Sequence, residues 1–216
     1  MNQENSFRDF FNQVGPIRMR EPLAETLGTF KQNGAVMEYS FIDAVKLAGH
    51  ACPSVTGAYL SCQLAFSALY GDDTPVRGDI RVTVYGEPDE GALGVMAQVC
   101  TFITGAAPET GFKGLGPLFK RNDLLGFAPT DDGCGGVCLR FERLDTGRIV
   151  QTRFRPGLIP FPEEKGKMLA DLMKLVVSGA AGDEQRTRFQ DLWMEKIELM
   201  AVGKTDIDKW LELLEA

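Results

Sequence analysis

The stretch "PSVTGAYLSCQLAFSALY", residues 53–70, decides the fold, because it begins with proline and contains no charged residue. Proline is favoured at the first position of a helix, and the Gly71 that follows is typical of a helix end. The pattern therefore predicts one long apolar helix. Gly57, Ser61 and Ala65 recur every four residues along it, which places small side chains on one face. Because small side chains let another element approach closely, we expect this helix to be central.

The segments around this helix combine strand and helix patterns. Residues 79–87, "DIRVTVYGE", alternate as a half-buried strand does, and residues 91–106 follow as a second apolar helix. Residues 136–156 hold two strand-like runs joined by Asp-Thr-Gly, the strongest hairpin signal in the chain. From residue 160 onward the pattern is helical throughout. We therefore predict an α+β fold, in which an antiparallel or mixed sheet packs on the central helix and further helices follow.

Three regions are expected along the chain. Residues 1–39 are predicted to form an N-terminal helical extension, residues 40–156 the α+β core, and residues 157–216 a helical C-terminal region. Within the core, residues 107–133 are rich in glycine, proline and aspartate, which predicts a long loop. Long loops in compact domains are often functional, so we expect this loop to cover the functional site.

Composition and charge exclude several classes of protein. The 216 residues are 44% hydrophobic, and 30 acidic against 23 basic side chains give a net charge of −7. This balance argues against binding to nucleic acid or to an anionic membrane surface. No apolar run approaches the roughly 18 residues that span a bilayer, and the N-terminus lacks a secretory pattern. Five cysteines in no disulfide-like spacing predict a reducing compartment, so we expect a cytoplasmic protein.

The residues just before the central helix carry the strongest chemical signal. In "LAGHACPSVTGAY", residues 47–59, His50 is the only histidine of the chain and stands two residues before Cys52. Since Pro53 marks the helix start, Cys52 is expected at the N-cap, where the helix dipole favours a thiolate. An imidazole and a thiolate together suit zinc, nickel or copper, or form a cysteine–histidine nucleophilic pair. The alternative is a helix-capping cysteine beside a hydrogen-bonded histidine, with no function of its own.

The positions of the other four cysteines predict different roles for them. Cys62 lies on the same predicted helix as Cys52, about 15 Å further along it, and Cys100 lies in an apolar run, so both are expected in the core. Cys134 and Cys138 form a Cys-x3-Cys pair in a glycine-rich segment, which could supply two metal ligands or form a labile disulfide. Of these two, Cys134 is the stronger candidate for a third metal ligand.

The order of these features resembles a known family. The motif "LAGHACPSVTGAY" is similar to the His-x-Cys-Pro-Gly-x-x-x-Gly-Tyr element of the FmdE-like family of formylmethanofuran dehydrogenase components. In that family the element precedes an alternating strand, an apolar helix, a glycine-rich loop and a hairpin. Here the corresponding segments follow in the same order as "DIRVTVYGE", "MAQVCTFITGAAPETGFKGLG" and "CLRFERLDTGRIVQTRF". The resemblance covers roughly residues 40–156 and implies an α+β core, a metal site and a homodimer.

The chain also departs from the family pattern. Val95 and Gln98 stand where the family has a cysteine and an aspartate, and no cysteine follows Cys138 to build the family's C-terminal zinc ribbon. The resemblance therefore carries over only His50 and Cys52 as metal ligands. It implies a divalent transition metal, with zinc the expected one, and no particular reaction.

The predicted loop suggests what binds at this site. Lys113, Lys120 and Arg121 give it three cations in an otherwise acidic chain. Lys113 and Arg121 are therefore predicted to hold a small anionic ligand such as a carboxylate, unless these cations only solvate a surface loop. Apolar walls are expected from Phe112, Leu118 and Phe127.

Three functions stay open at this level. The first is a metal-binding protein, either an enzyme with Cys52 at the reacting centre or an accessory subunit. The second is a metal-free thiol-based redox or binding module that uses Cys52. The third is an accessory protein whose C-terminal helices dock a partner. The small-residue face of the central helix and the apolar helix at residues 91–106 predict a homodimer with an apolar, helical interface.

Overall fold

The computed structural model describes residues 7–31, 34, 36–129 and 135–215. Within them the chain has an α+β fold with one two-stranded and one five-stranded sheet, which confirms the predicted fold class. The helices are α1 (Pro22–Thr26), α2 (Phe41–Ala48), α3 (Pro53–Tyr70), α4 (Leu93–Thr104), α5 (Glu163–Val177), α6 (Asp183–Glu198) and α7 (Ile207–Trp210). The strands are β1 (Ile17–Arg20), β2 (Val36–Tyr39), β3 (Ile80–Tyr85), β4 (Leu125–Ala128), β5 (Val137–Arg143), β6 (Ile149–Phe154) and β7 (Leu211–Glu215).

The five-stranded sheet is mixed, in the order β4-β3-β5-β6-β7. β3 and β4 run parallel, and α4 lies between them in the chain, because a parallel pair needs a crossover connection. The other neighbours are antiparallel. β5 and β6 form the predicted hairpin, in which Leu139 pairs with Thr152. β1 and β2 form the separate two-stranded sheet.

The central helix α3 has the predicted bounds and packs against the sheet. A Cβ atom built at Gly57 would lie 2.7 Å from the ring of Phe154 on β6, so only glycine admits this approach. On β3, the alternating residues Ile80, Val82 and Val84 are buried. The small-residue face of α3 is therefore used for packing inside one chain, and it no longer argues for a dimer interface.

The helix α6 joins this core through part of its predicted apolar stripe. Leu192 and Ile197 are fully buried, as is Met200 in the short π-helical turn that follows. Phe189 and Trp193 are half-buried. The C-terminal helices are thus attached to the core, which fixes their position beside the start of α3.

Four strands lie where the sequence predicts none. The prediction that everything after residue 160 is helical is wrong, because β7 pairs with β6 at the edge of the sheet. The predicted loop 107–133 contains β4, and the region 1–39 contains β1 and β2. Each is a four- or five-residue strand, and strands this short depend on pairing with a neighbour more than on their own residues.

Candidate functional site

The turn between α2 and α3, residues 49–52, carries the histidine and the cysteine. Gly49 takes a left-handed conformation, φ 76°, which ends α2 as glycine commonly does. Cys52 is extended, with φ −147°, and is the N-cap of α3, directly before Pro53. The predicted position of the thiol at the start of the central helix is therefore confirmed. We call residues 49–52 the motif turn.

The ring of His50 is exposed but oriented by the backbone. Its Nδ1 lies 2.9 Å from the carbonyl oxygen of Ala48. Because a carbonyl only accepts, Nδ1 carries the hydrogen and donates it. The neutral ring then has its lone pair on Nε2. This tautomer leaves Nε2 as the ring atom that can bind a metal ion or accept a proton.

The thiol of Cys52 is free and half-buried. Its sulfur accepts a hydrogen bond from the backbone N–H of Val55, at 3.5 Å. This contact satisfies one of the N–H groups that the first turn of any helix leaves without a partner. Since α3 has 18 residues, the sulfur also lies at the positive end of a long helix dipole.

A tryptophan from α6 holds the motif turn in place. The indole Nε1 of Trp193 donates a hydrogen bond of 2.8 Å to the carbonyl oxygen of Ala51. Ala51 stands between His50 and Cys52, so this bond fixes the backbone that carries both side chains. The sequence places Trp193 only on an apolar stripe, and nothing in that pattern indicates its contact with the turn.

An apolar groove of about 420 Å³ has Leu47, three residues before His50 in the chain, in its lining. Leu47, near the end of α2, forms one wall, and α4 contributes the amide of Gln98. The segment predicted to cover the site contributes Pro108, Leu125 and Phe127. The remaining lining residues are Gly94, Ala97, Thr101 and Phe102. We call this surface the apolar groove.

The other predicted wall residues and the two predicted ligand-binding cations lie elsewhere. Phe112 and Leu118 are exposed, and Lys113 is exposed on the same loop. Arg121 is only 6% exposed and forms an ion pair of 2.5 Å with Glu21. Burial lowers the pKa of this guanidinium, and the carboxylate of Glu21 opposes that effect. One cation is thus exposed to solvent while the other is held inside the fold.

The remaining cysteines supply no ligand to the motif turn within the described residues. Cys134, the predicted third ligand, lies outside them. Cys138 is buried on β5 and disulfide-bonded. Over the described ranges, no three side chains of histidine, cysteine, aspartate or glutamate gather as a metal-binding group.

Cys62 and Cys100 are confirmed as core residues. Both are fully buried, and their sulfur atoms lie 3.9 Å apart across the contact between α3 and α4. Burial, with the neighbouring sulfur adding to it, raises the pKa of the Cys62 thiol well above its usual value. The Cys62 thiol is therefore kept neutral. Among the three free cysteines of the described residues, Cys52 is the one that is not fully buried, and it is the reactive candidate.

Comparison with known proteins adds no relative: no family model, no curated protein and no solved structure matches this chain. Among the helices of the described residues, none is both long and apolar enough to cross a bilayer. The function is therefore inferred from the chain's own residues.

Proposed function

We propose that this protein binds a divalent transition metal, with zinc the expected ion, through His50 Nε2 and Cys52 Sγ. The observation that carries the proposal is the hydrogen bond from His50 Nδ1 to the Ala48 carbonyl, two residues before a free thiol. Metal-ligating histidines usually donate their other ring N–H to a carbonyl or carboxylate in this way. Imidazole nitrogen and thiolate sulfur are both preferred zinc ligands.

Two ligands leave coordination positions open. Zinc takes four ligands in most protein sites, and catalytic sites keep at least one for water or substrate. Cys138 is not a third ligand, because a disulfide-bonded sulfur supplies no thiolate. In this proposal the chain is a divergent member of the FmdE-like family of formylmethanofuran dehydrogenase components, which has kept the histidine and cysteine of the family motif.

The apolar groove supports the binding of a small organic ligand. Its lining is almost wholly apolar, with the Gln98 amide and the Thr101 hydroxyl as the polar side chains. Pockets of this size and character bind small molecules, and a few polar groups orient them. We propose a ligand whose apolar body packs against Leu47 and Phe127, and whose carboxylate coordinates the metal.

The experiment is a metal analysis of protein purified without an affinity tag. We expect about one zinc ion per chain, bound with micromolar affinity or better, and a weaker affinity at low pH because both ligands must lose protons. His50→Ala and Cys52→Ser are expected to abolish uptake. Lys46→Ala, a change of an exposed residue on the last turn of α2, is the matched control and is expected to bind normally.

The outcomes separate the alternative functions. Protein that takes up no zinc, while Cys52 alone reacts rapidly with a thiol reagent, would instead be a thiol-based redox or binding module. Protein that does neither would favour an accessory role in which the C-terminal helices dock a partner. Protein that binds zinc equally well after the Cys52→Ser change would contradict the site.

The homodimer is part of the same proposal. Phe112, Leu115 and Leu118 are between 45% and 59% exposed on one loop, and this apolar surface supports self-association now that α3 does not. Light scattering is expected to give about twice the chain mass of 23.7 kDa. Leu118→Lys is expected to shift the protein towards the monomer. A wild-type monomer at micromolar concentration would contradict the dimer.

A further inference from the structure

A second cluster of charged side chains lies around Glu21, the N-cap of α1. Its carboxylate is buried and accepts three hydrogen bonds: one from the backbone N–H of Leu23 at 3.0 Å, one from Arg77 Nη1 at 2.8 Å and one from Arg121 Nη2 at 2.5 Å. Two guanidinium groups thus share one carboxylate. We call Glu21, Arg77 and Arg121 the Glu21 cluster; it carries an excess positive charge in a largely desolvated place.

The two arginines of the cluster make different hydrogen bonds. Arg77 also donates from Nε to the carbonyl of Ile103, at 3.1 Å, and from Nη2 to that of Phe102, at 3.1 Å. Arg77 therefore caps the C-terminal end of α4. Within the described residues, Arg121 donates only from Nη2, to Glu21. Its Nε and Nη1 form no hydrogen bond within the described residues, so their N–H groups are donors that a ligand can use.

The backbone around Arg121 is shaped to receive this side chain. A Cβ atom at Gly78 would overlap the guanidinium of Arg121, so the side chain occupies space that only glycine leaves. Phe119 and Asp123, on either side of the Lys120–Arg121 pair, have left-handed φ values of 60° and 57°. Such strain in non-glycine residues costs about 1–3 kcal/mol each and clusters at ligand-binding sites.

Arg121 opens onto a pocket of about 560 Å³. Four cationic side chains line it, and two carboxylates oppose them. The cations are Arg20, Arg77, Lys120 and Arg121, and the carboxylates are Asp79 and Asp145. Asp145 is already neutralised by Arg143, which binds both of its oxygens at 2.7 and 2.9 Å. Lys120 forms an exposed ion pair of 3.2 Å with Asp123, and such exposed pairs are weak. We call this space the cationic pocket; the positive balance of its lining contrasts with the chain's net charge of −7.

We infer that the cationic pocket binds a small molecule through an oxyanion, a carboxylate or a phosphate, held by the free donors of Arg121 with Lys120 and Arg20. The guanidinium fork matches both groups geometrically. Leu118, Leu124 and Leu144 give the pocket an apolar wall, which suits a ligand with an apolar body. None of the lining residues belongs to the motif turn, so this site is independent of the metal proposal.

The test is isothermal titration of the full chain with two probes, inorganic phosphate and hexanoate, at constant ionic strength in chloride. We expect at least one probe to bind with a Kd near or below about 1 mM. Arg121→Lys keeps the charge but loses the fork, and is expected to weaken binding by about tenfold or more. The probe that binds more tightly distinguishes phosphate from carboxylate as the natural group.

Two further variants keep the test decisive if Arg121→Lys does not fold. Lys120→Ala and Arg20→Ala change exposed residues, and each is expected to weaken binding at least about threefold by loss of a charged partner. Lys113→Ala removes an exposed cation of the same loop that does not line the pocket, and is expected to leave binding unchanged. Absence of binding by both probes at about 10 mM, or an equal loss in Lys113→Ala, would overturn the proposal.

Discussion

The motif turn and the Glu21 cluster hold polar side chains in opposite ways. In the motif turn, backbone groups orient His50 and Cys52, and the imidazole remains exposed. In the Glu21 cluster, side chains orient one another, and the carboxylate and Arg121 are buried. The first region can lose its functional groups while the fold stays intact. The second cannot, because each charge compensates another that is out of water.

This difference predicts that substitution of Glu21 has the largest effect on the free energy of unfolding. Glu21→Gln would leave two guanidinium groups without their counter-charge and is expected to lower the free energy of unfolding by about 3–5 kcal/mol. Urea denaturation measures the loss. Glu38→Gln is the control, because Glu38 forms an ion pair with Arg18 in which both side chains are more than half exposed, and such pairs contribute about 1 kcal/mol or less. Equal losses of stability in the two variants would contradict the prediction that the Glu21 cluster is essential to the fold.

An intermediate loss of stability is expected for substitution of Trp193, whose indole holds the motif turn. Trp193→Phe keeps an aromatic ring but removes the indole N–H that binds the Ala51 carbonyl. The expected loss is about 0.5–1.5 kcal/mol of stability, together with weaker zinc binding because the turn is no longer fixed. Trp210→Phe is the matched control. It also removes an N–H to a carbonyl, that of Thr205, and should cost stability without changing zinc affinity.

A smaller effect on stability is expected at Cys52. Cys52→Ala removes the cap of α3 and is expected to cost about 0.5–1 kcal/mol. Cys52→Ser places a preferred capping residue at the same position and should cost nothing, while zinc binding is lost in both variants. Thermal unfolding and zinc titration of the two variants separate the capping role from the metal role. A large loss of stability in Cys52→Ser would show that the motif turn is as structurally coupled as the Glu21 cluster.

The smallest change in stability is expected for substitution of Asp79, which lines the cationic pocket. Burial, and then repulsion from Asp145, raise the pKa of this carboxyl. A raised pKa in the folded state means that the ionised form is disfavoured there. The group therefore reduces stability above its unfolded pKa of about 3.9, and the reduction grows as pH rises through the folded value.

Asp79→Asn should accordingly raise stability slightly at pH 7 and leave it unchanged at about pH 3, below the unfolded pKa. Urea titrations at the two pH values measure the difference. The same variant removes a negative charge from the cationic pocket and should tighten phosphate or hexanoate binding. A gain of stability at low pH alone would contradict the assigned direction.

The sequence predicts the motif turn well and the Glu21 cluster hardly at all. His50, Cys52 and Pro53 are close neighbours in the chain, so their local geometry follows from helix-capping rules. The members of the Glu21 cluster come from three distant segments, and only the tertiary fold brings them together. Local charge alone predicts Arg121 as a ligand-binding cation. It does not identify the buried partner, because Glu21 resembles any other acidic residue before a short helix.

The same distinction explains the missed strands. Long patterns and clear end signals predict α3 and the β5–β6 hairpin. β7, "LELLE", has only five residues, breaks the alternation at Leu214 and is composed of good helix formers. Its pairing with β6 decides its structure, as with β4 beside β3. Contacts with distant segments override local preference in such short elements.

The position of β7 has a consequence for how the chain folds. β5 and β6 are joined by a tight turn and can pair early, whereas β7 reaches β6 only after α5 and α6 have been arranged between them. Closing such a long segment carries an entropy cost that a local hairpin avoids. We expect β7 to join after the rate-limiting step. In stopped-flow measurements, Leu211→Ala should then mainly accelerate unfolding, whereas Phe141→Leu on β5 should mainly slow folding.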